Sequence, residues 1–161
     1  LIPGPNSQID MAKRYWLMKC EPAAYAIDDL ARDGRTSWEG VRNYQARNFV
    51  RNMQCGEQFF FYHSSCAQPG IAGIARILGE PYADPTALDP NSHYFDAKAS
   101  PEKNPWTARD VEFVEAFAAV ITLAQLKACA ALHELPLVQK GTRLSVMPVS
   151  PEQWQTILSL R

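Results

Sequence analysis

Short runs of large apolar residues, separated by polar or turn-forming residues, dominate the pattern along this chain. Residues 14–19, RYWLMK, alternate large apolar and other side chains, which is typical of a strand. Residues 57–63, EQFFFYH, are too short and too aromatic for anything but a buried strand. Further strands are predicted in the apolar runs at 71–78, 110–121 and 143–149.

Helix signals stand between these strands. Residues 27–34, IDDLARDG, predict a short helix with its aspartates at the favourable amino end and a glycine at its close. Thr122 is suited to cap a helix that runs to about Ala131. The last helix is signalled most clearly, because Ser150 and Gln153 form a capping box around a first-turn proline.

One further helix is predicted where apolar residues recur at i, i+3, i+4 and i+7: Ala46, Phe49, Val50 and Met53. Asn43 is suited to be its N-cap, and Gly56 is suited to end it.

Residues 38–51, WEGVRNYQARNFVR, carry three arginines and no acid beyond their second position, although the whole chain has a formal net charge of −1. Arg47 and Arg51 share a helix face away from the apolar stripe. Arg42 and Asn43 stand at the helix start, where free N–H groups and the helix dipole favour an anion or an acceptor. The net charge argues against strong, sequence-blind binding to nucleic acid, and a small local basic site is compatible with it.

The length of 161 residues fits one domain. Residues 1–10, LIPGPNSQID, precede a methionine without periodicity, and we interpret them as an expression remnant or disordered tail, leaving a single domain over 11–161. The mixture of strands and short helices without regular spacing predicts an α+β fold on a mixed, strongly curved β-sheet or small barrel, surrounded by short helices. Residues 81–105 carry five prolines and little periodicity, and such long loops are usually functional or disordered.

The sequence gives no support for a membrane span, a disulfide or a metal site. No apolar run is long enough to span a membrane and no signal peptide stands near Met11, which predicts an intracellular protein, cytoplasmic or, in a eukaryote, nuclear. The four cysteines form no CxxC pair and predict reduced thiols. Three widely spaced histidines predict no metal site, and no cofactor is expected.

The sequence resembles the EVE domain family of the PUA-like superfamily, a family that includes the thymocyte nuclear protein group. The resemblance covers Tyr15 to Leu160. It rests on the order and spacing of YWLMKCEPAAYAIDDL, WEGVRNYQARNFVRNM, GEQFFFYHSS, GIAGIARI, DPTALDPNSHYFDAKASPEKNPW and RLSVMPVSPEQWQTIL. Cys20 and Ala26 stand where serines are expected in the family, and Met147 stands where glutamine is usual.

That resemblance implies a pseudobarrel with helices around it and a pocket at one side. Related domains insert a flipped, modified base into such a pocket, and EVE domains are proposed to read modified bases, with DNA the expected nucleic acid. The resemblance therefore implies a non-catalytic binding module, here expected to be a monomer without a membrane partner.

A pocket for a flipped base needs aromatic walls, a few hydrogen-bonding groups for the base edge, and cations for the flanking phosphates. The candidate walls are Trp16, Trp38, Tyr62 and Trp106. The candidate edge readers are Asn43, His63, Ser64 and Ser145, and the candidate phosphate contacts are Arg42, Arg47, Lys98 and Arg143. Lys19, Cys20 and Tyr44, which stand in the matching motifs, complete the expected ligand-binding set.

Several of these side chains also have an interpretation in which they only support the fold. Trp16, in an alternating strand, favours the core over the pocket, and Trp154 on the last helix favours the core strongly. Trp38 is predicted to lie on a loop and to face the pocket. His63 is equally compatible with a structural role and with ligand contact, and Arg51 is predicted to be only part of a solvated face.

Two rival functions stay open. A small hydrolase of the ASCH-like type, acting on a nucleoside-like substrate, would use Cys20, Cys66 or His63 with Glu21 or Glu39 as general acid or base. No pair among them has a recognisable catalytic spacing. A protein–protein adaptor would use residues 81–105 as its contact surface, and no sequence feature supports it.

Overall fold

The computed structural model describes residues 13–161, so the predicted tail at 1–10 lies outside the described residues. Six strands form one sheet: β1 (Tyr15–Cys20), β2 (Arg35–Trp38), β3 (Gln58–His63), β4 (Gly70–Ala83), β5 (Thr107–Thr122) and β6 (Val146–Val149). The strand order is β2-β5-β4-β3-β1-β6. β1 and β3 run parallel, and every other neighbouring pair is antiparallel. The predicted α+β fold on a mixed sheet is confirmed, and its strong curvature stays a prediction.

The helices are α1 (Ile27–Asp33), α2 (Tyr44–Asn52), α3 (Leu123–Ala128) and α4 (Pro151–Leu158), with 3₁₀ turns at Pro85–Leu88, Ala130–Leu132 and Pro136–Val138. The local signals act as predicted at the amino ends. Asn43 accepts a hydrogen bond from the Ala46 N–H at 2.9 Å, and Thr122 and Ser150 each start a capping box. The carboxyl ends were predicted too late, since α2 ends before Gly56 and the helix after Thr122 turns into a 3₁₀ turn before Ala131.

β2 was missed by the sequence reading, and the loop position predicted for Trp38 is wrong. Trp38 ends β2, opposite Arg109 of β5. Its ring is 7 % exposed and packs edge-on against Phe59 and Phe61, with ring centroids 5.5 and 5.4 Å away. The segment RTSW has no apolar alternation of its own, so only its pairing with the distant β5 makes it a strand.

Both faces of the sheet are covered. One face, which carries Trp16 and Met18, packs against Leu30 of α1 and Val50 of α2. The other face carries Tyr15, Leu17, Phe60 and Ile74 and packs against α4. Trp154 of α4 stacks on Tyr15 at 4.2 Å and on Phe60 at 3.8 Å between ring centroids, which confirms its predicted core position. The other residues predicted in the core are also buried, with Phe59, Phe61 and Val146 at 0 % exposure and Ile74 at 5 %.

Residues 81–105 fold back onto the sheet through their own polar groups. Asp84 caps the 3₁₀ turn at Pro85–Leu88, and the Asn104 side chain donates to the Asp84 carbonyl at 2.9 Å. The Asp96 N–H donates to the Ala87 carbonyl at 2.9 Å, and Ala87 is fully buried. The segment is therefore an ordered part of the domain, and its turns at 92–97 come to lie beside the start of α2.

Candidate functional site

An open cavity of about 570 Å³ lies between the end of β2 and the turns at 92–97. Its lining consists of Gly40, Arg42, His93, Tyr94, Phe95, Asp96, Ala97 and Trp106. Of the four large apolar side chains most exposed in the described residues, Tyr94 (38 %) and Phe95 (43 %) line this cavity and Tyr44 (58 %) stacks on its wall. Exposed aromatic surface around a concave site is typical of a ligand-binding site.

Every hydrogen-bond donor of the Arg42 side chain is used within the wall of the cavity. Its Nε and Nη2 donate to the Tyr94 carbonyl at 3.0 and 2.8 Å, and Nη2 also donates to Thr86 Oγ1 at 3.1 Å. Its Nη1 donates to the Val41 carbonyl at 3.0 Å and to Asp84 Oδ2 at 2.9 Å. A guanidinium has five N–H groups, and all of them are occupied. Arg42 therefore lines the cavity, but it has no donor left for the phosphate contact that was predicted for it.

Asp84, the partner of Arg42, is fully buried. It also accepts from the Gly40 N–H and the Thr86 N–H, each at 2.8 Å. Burial by itself raises the pKa of this carboxyl, and the hydrogen bonds from Thr86, Gly40 and Arg42 outweigh it, so the pKa lies below its usual value. Asp84 is therefore an ionised anchor that ties the end of β2 to the 3₁₀ turn.

Gly40 allows the Tyr94 ring to lie directly on the backbone. Its φ is +84°, in the region that favours glycine, and a Cβ at this position would come within 2.6 Å of the Tyr94 ring. The Arg42 guanidinium lies 5.7 Å from the centre of the same ring. We call Gly40, Arg42 and Asp84, together with Trp38 at the end of β2, the inner wall of the cavity. Trp38 itself packs in the core and does not line the cavity, contrary to the position predicted for it.

A ladder of stacked planar groups leads outward from the cavity along α2. The Arg42 guanidinium lies 5.3 Å from the Trp106 ring centre, Trp106 stacks on Tyr44 at 4.8 Å, and Arg47 lies 4.8 Å from the Tyr44 ring. Trp106 is held by a 2.7 Å hydrogen bond from its Nε1 to Asp96 Oδ2, which lowers the pKa of Asp96. We call Tyr44, Arg47 and Arg51 the outer ridge.

A second group of the predicted residues gathers at the carboxyl ends of β1 and β3: Lys19, Cys20, Tyr62, His63, Ser64 and Ser145. The Ser64 N–H donates to the Cys20 carbonyl at 3.0 Å and the Lys19 N–H to the Ser145 carbonyl at 2.9 Å. Burial raises the pKa of Tyr94 in the cavity, and neighbouring Cys20 and Glu21 raise it further. None of the six lines the cavity itself.

Two members of this group, His63 and Cys20, are constrained by the surrounding fold. His63 Nε2 accepts the hydrogen bond of the Ile27 N–H, at the start of α1, at 3.1 Å, which requires that nitrogen to be unprotonated. Burial lowers the pKa of His63, and the charge of Asp28 opposes this. Burial raises the pKa of the Cys20 thiol to about 11, with Glu21 adding to the effect. The structural interpretation of His63 therefore has direct support.

The remaining predicted residues have mixed positions. Trp106 lines the cavity, and the side-chain oxygen of Asn43 is occupied as the cap of α2. Lys98 is exposed, and its backbone N–H donates to Asp96 Oδ1 at 3.0 Å. Arg143 is exposed two residues before Ser145. Trp16 is in the core, with its Nε1 donating to Glu57 Oε1 at 2.9 Å.

The sequence reading missed the far side of the cavity. It did not single out the cavity residues His93, Tyr94, Phe95, Asp96 and Ala97. The sequence does contain a signal for this side of the cavity, because two adjacent aromatic residues form an apolar surface, and exposed apolar surfaces mark binding sites. In residues 13–161, no three or more His, Cys, Asp or Glu side chains are placed to hold a metal ion, and the four cysteines are free thiols. No helix of that range is both long and apolar enough to cross a membrane.

The EVE domain profile matches residues 14–160. The chain belongs to the EVE domain family. Human thymocyte nuclear protein 1 is 39 % identical over 164 residues, which cover 91 % of this chain and 73 % of the human protein.

Solved EVE-related structures share the fold. A crystal structure of a Pseudomonas syringae protein superposes with a TM-score of 0.90 at 62 % identity, covering 91 % of this chain and 98 % of that one. The human THYN1 protein, crystallised in complex with DNA that contains 5-methylcytosine, superposes with a TM-score of 0.84 at 38 % identity, covering 92 % of this chain and 97 % of that one.

Proposed function

We propose that this EVE domain is a non-catalytic reader that binds DNA and takes a modified, flipped base into the cavity between the inner wall and the turns at 92–97. The observation that carries the proposal is the aromatic lining of that cavity by Tyr94, Phe95 and Trp106. The crystallised complex of the related human THYN1 protein with 5-methylcytosine DNA supports both the ligand class and the modification.

The cavity offers what a flipped base needs. Tyr94 and Phe95 are the exposed rings of the cavity, and Tyr94 is backed by Gly40, so they supply the surface on which a base can stack. Trp106 is buried beneath Tyr44 and fixed by Asp96, and it forms a rigid side of the cavity. Each oxygen of the Asp96 carboxylate already accepts one hydrogen bond and keeps a lone pair. A carboxylate is the usual acceptor for the exocyclic amino group of cytosine, and the apolar rings suit a methyl group on the same base.

The chemistry of the nominated catalytic residues favours binding over hydrolysis. A nucleophilic cysteine needs its thiolate, and burial keeps the Cys20 thiol protonated with a pKa of about 11. A general base at His63 needs a free ring nitrogen at the site, and Nε2 is occupied by the Ile27 N–H. These two observations support the non-catalytic interpretation.

The test compares binding of two duplexes that differ only in one 5-methylcytosine. We expect tighter binding of the methylated duplex, and equal affinity for the two would overturn the proposal for this modification. Mass spectrometry of the DNA after incubation tests for catalysis, and we expect an unchanged mass. Sedimentation of the free protein tests the expected monomer.

Gly40→Ala supplies a variant aimed at the cavity, with Gly34→Ala as its matched control. Both glycines have nearly the same positive φ, +84° and +81°, but a Cβ at position 34 meets nothing within 4 Å. Both substitutions therefore place a Cβ at a positive φ, and only Gly40→Ala displaces the Tyr94 ring. We expect Gly40→Ala to reduce the preference for the methylated duplex and Gly34→Ala to retain it.

A further inference from the structure

The arginines of this chain fall into two classes. Six of the ten form an ion pair with a carboxylate: Arg14, Arg32, Arg35, Arg42, Arg76 and Arg161. Among those without one, Arg109 is buried and Arg143 stands on the loop before β6. Arg47 and Arg51 are the two that stand together, on the same face of α2.

The guanidiniums of Arg47 and Arg51 converge on one carbonyl oxygen. Arg47 Nη1 donates to the Pro105 carbonyl at 3.1 Å, and Arg51 Nη2 donates to the same oxygen at 3.0 Å. They are close enough for the charge of Arg47 to lower the pKa of Arg51, an effect second to that of burial. Two neighbouring cations with no carboxylate partner in residues 13–161 repel each other, and a bound anion would relieve that repulsion.

Both side chains are held in position and still have free donors. Arg47 uses three of its five N–H groups, two on Asn48 Oδ1 and one on Pro105, and keeps two. Arg51 uses two, on Thr107 Oγ1 and Pro105, and keeps three. Bonds to fixed acceptors reduce the side-chain entropy that an anion-binding arginine would otherwise lose on binding.

We propose that Arg47 and Arg51 together bind one backbone phosphate of the DNA, outside the base cavity. This inference rests on the proposed function. Arg47 stacks on Tyr44 and Tyr44 stacks on Trp106, so the pair lies on the same surface as the cavity, one stacked residue outward. The position suits the backbone that flanks a flipped base, and the contact positions the strand without reading its sequence.

The test is DNA binding of the Arg47→Gln/Arg51→Gln double variant over a series of salt concentrations, with the methylated and unmethylated duplexes. Loss of one phosphate contact reduces the slope of log affinity against log salt by about 0.9. We expect affinity to fall about tenfold for both duplexes alike, because hydrogen bonds to charged groups are strong and a phosphate contact carries no base information. The ratio between the two duplexes is expected to stay unchanged.

Two further variants control this measurement. Arg161→Gln removes an exposed arginine paired with Glu115, and it should leave the salt slope as in the unaltered protein. Arg47→Lys/Arg51→Lys retains both charges and should retain most of the slope while losing part of the affinity. Thermal melts of all variants establish that they are folded.

Each outcome decides a different question. An unchanged slope in the folded Gln double variant overturns the phosphate site and leaves the reader function standing. Weakening confined to the methylated duplex also overturns it, since the arginines would then act on the base. No DNA binding by the unaltered protein overturns the proposed function and the phosphate site together.

Discussion

The inner wall and the outer ridge lie side by side and contain the same kind of residue in opposite states. Arg42 of the inner wall has an acceptor for each of its five N–H groups and a fully buried carboxylate partner. Arg47 and Arg51 of the outer ridge have no carboxylate partner in the described residues and keep free donors. Within one basic motif, one arginine therefore holds the cavity wall in place, and its two neighbours keep N–H groups that are free to bind a ligand.

The largest expected effect breaks the inner wall. Asp84→Ala leaves the Arg42 charge without its buried partner, and removing one member of a buried pair typically costs about 3–5 kcal/mol of the free energy of unfolding. Urea denaturation measures it. Glu115→Ala is the control, because its pair with Arg161 is exposed and should contribute about 1 kcal/mol or less. Similar losses for the two variants would contradict the structural role of Asp84.

Trp38→Ala tests whether the inner wall is continuous with the core. Because the ring packs edge-on against Phe59 and Phe61, truncation should cost about 3–5 kcal/mol of the free energy of unfolding, the range for a core tryptophan. The loop position predicted for Trp38 would instead give only a small loss of stability. Trp154→Ala, in the core on the other face of the sheet, provides the reference. A Trp38→Ala variant as stable as the unaltered protein would place the ring outside the core.

Tyr44→Ala tests the outer ridge through binding instead of stability. The ring is 58 % exposed, so its removal should cost only about 1 kcal/mol of the free energy of unfolding. DNA binding should weaken, because the ring stacks on Trp106 of the cavity and lies beside the Arg47 guanidinium of the proposed phosphate site. Calorimetric titration measures the binding term. Tyr82→Ala is the control, an exposed tyrosine that lies outside the cavity lining, and a binding loss equal to that of Tyr44→Ala would argue against a role specific to the ridge.

The smallest expected effect extends the comparison to His63, which resembles Arg42 in being committed to the fold. Its pKa is lowered by burial, so the folded state binds the proton more weakly than the unfolded state does. The contribution of His63 is therefore intact above the unfolded-state pKa of about 6.5 and is lost as pH falls from there toward the lower folded-state value.

Urea denaturation on either side of that range measures the pH effect. His63→Asn should reduce the pH dependence of unfolding, whereas His133→Asn, at an exposed histidine, should retain it. If both variants retained it, the proton-linked group would be another residue.

Elements with a complete local signal were predicted well from the sequence. The capping box of Ser150 and Gln153 starts α4 as expected, and the aromatic run 57–63 contains the buried strand β3. These features depend on neighbours within a few residues, which a sequence pattern displays directly. β2 could not be found in this way, because four mostly polar residues become a strand only by pairing with β5, more than seventy residues later.

The candidate site divides along the same line. Arg42 and Trp106, both predicted as ligand-binding residues, line the cavity, and the start of α2 was predicted from the Asn43 cap. The far side of the cavity, at His93–Ala97, comes from a segment without periodicity, and the family resemblance covered it without indicating which of its residues face a ligand.

By itself, the sequence determined the family, the mixed sheet with its short helices, and the basic start of α2, because each is encoded in local spacing and residue type. Only the tertiary structure decided which arginine keeps free donors and that Trp38 is buried in the core. Those properties depend on acceptors and rings that arrive from distant strands and turns: Asp84 and the Tyr94 carbonyl for Arg42, Phe59 and Phe61 for Trp38, and the Pro105 carbonyl for Arg47 and Arg51.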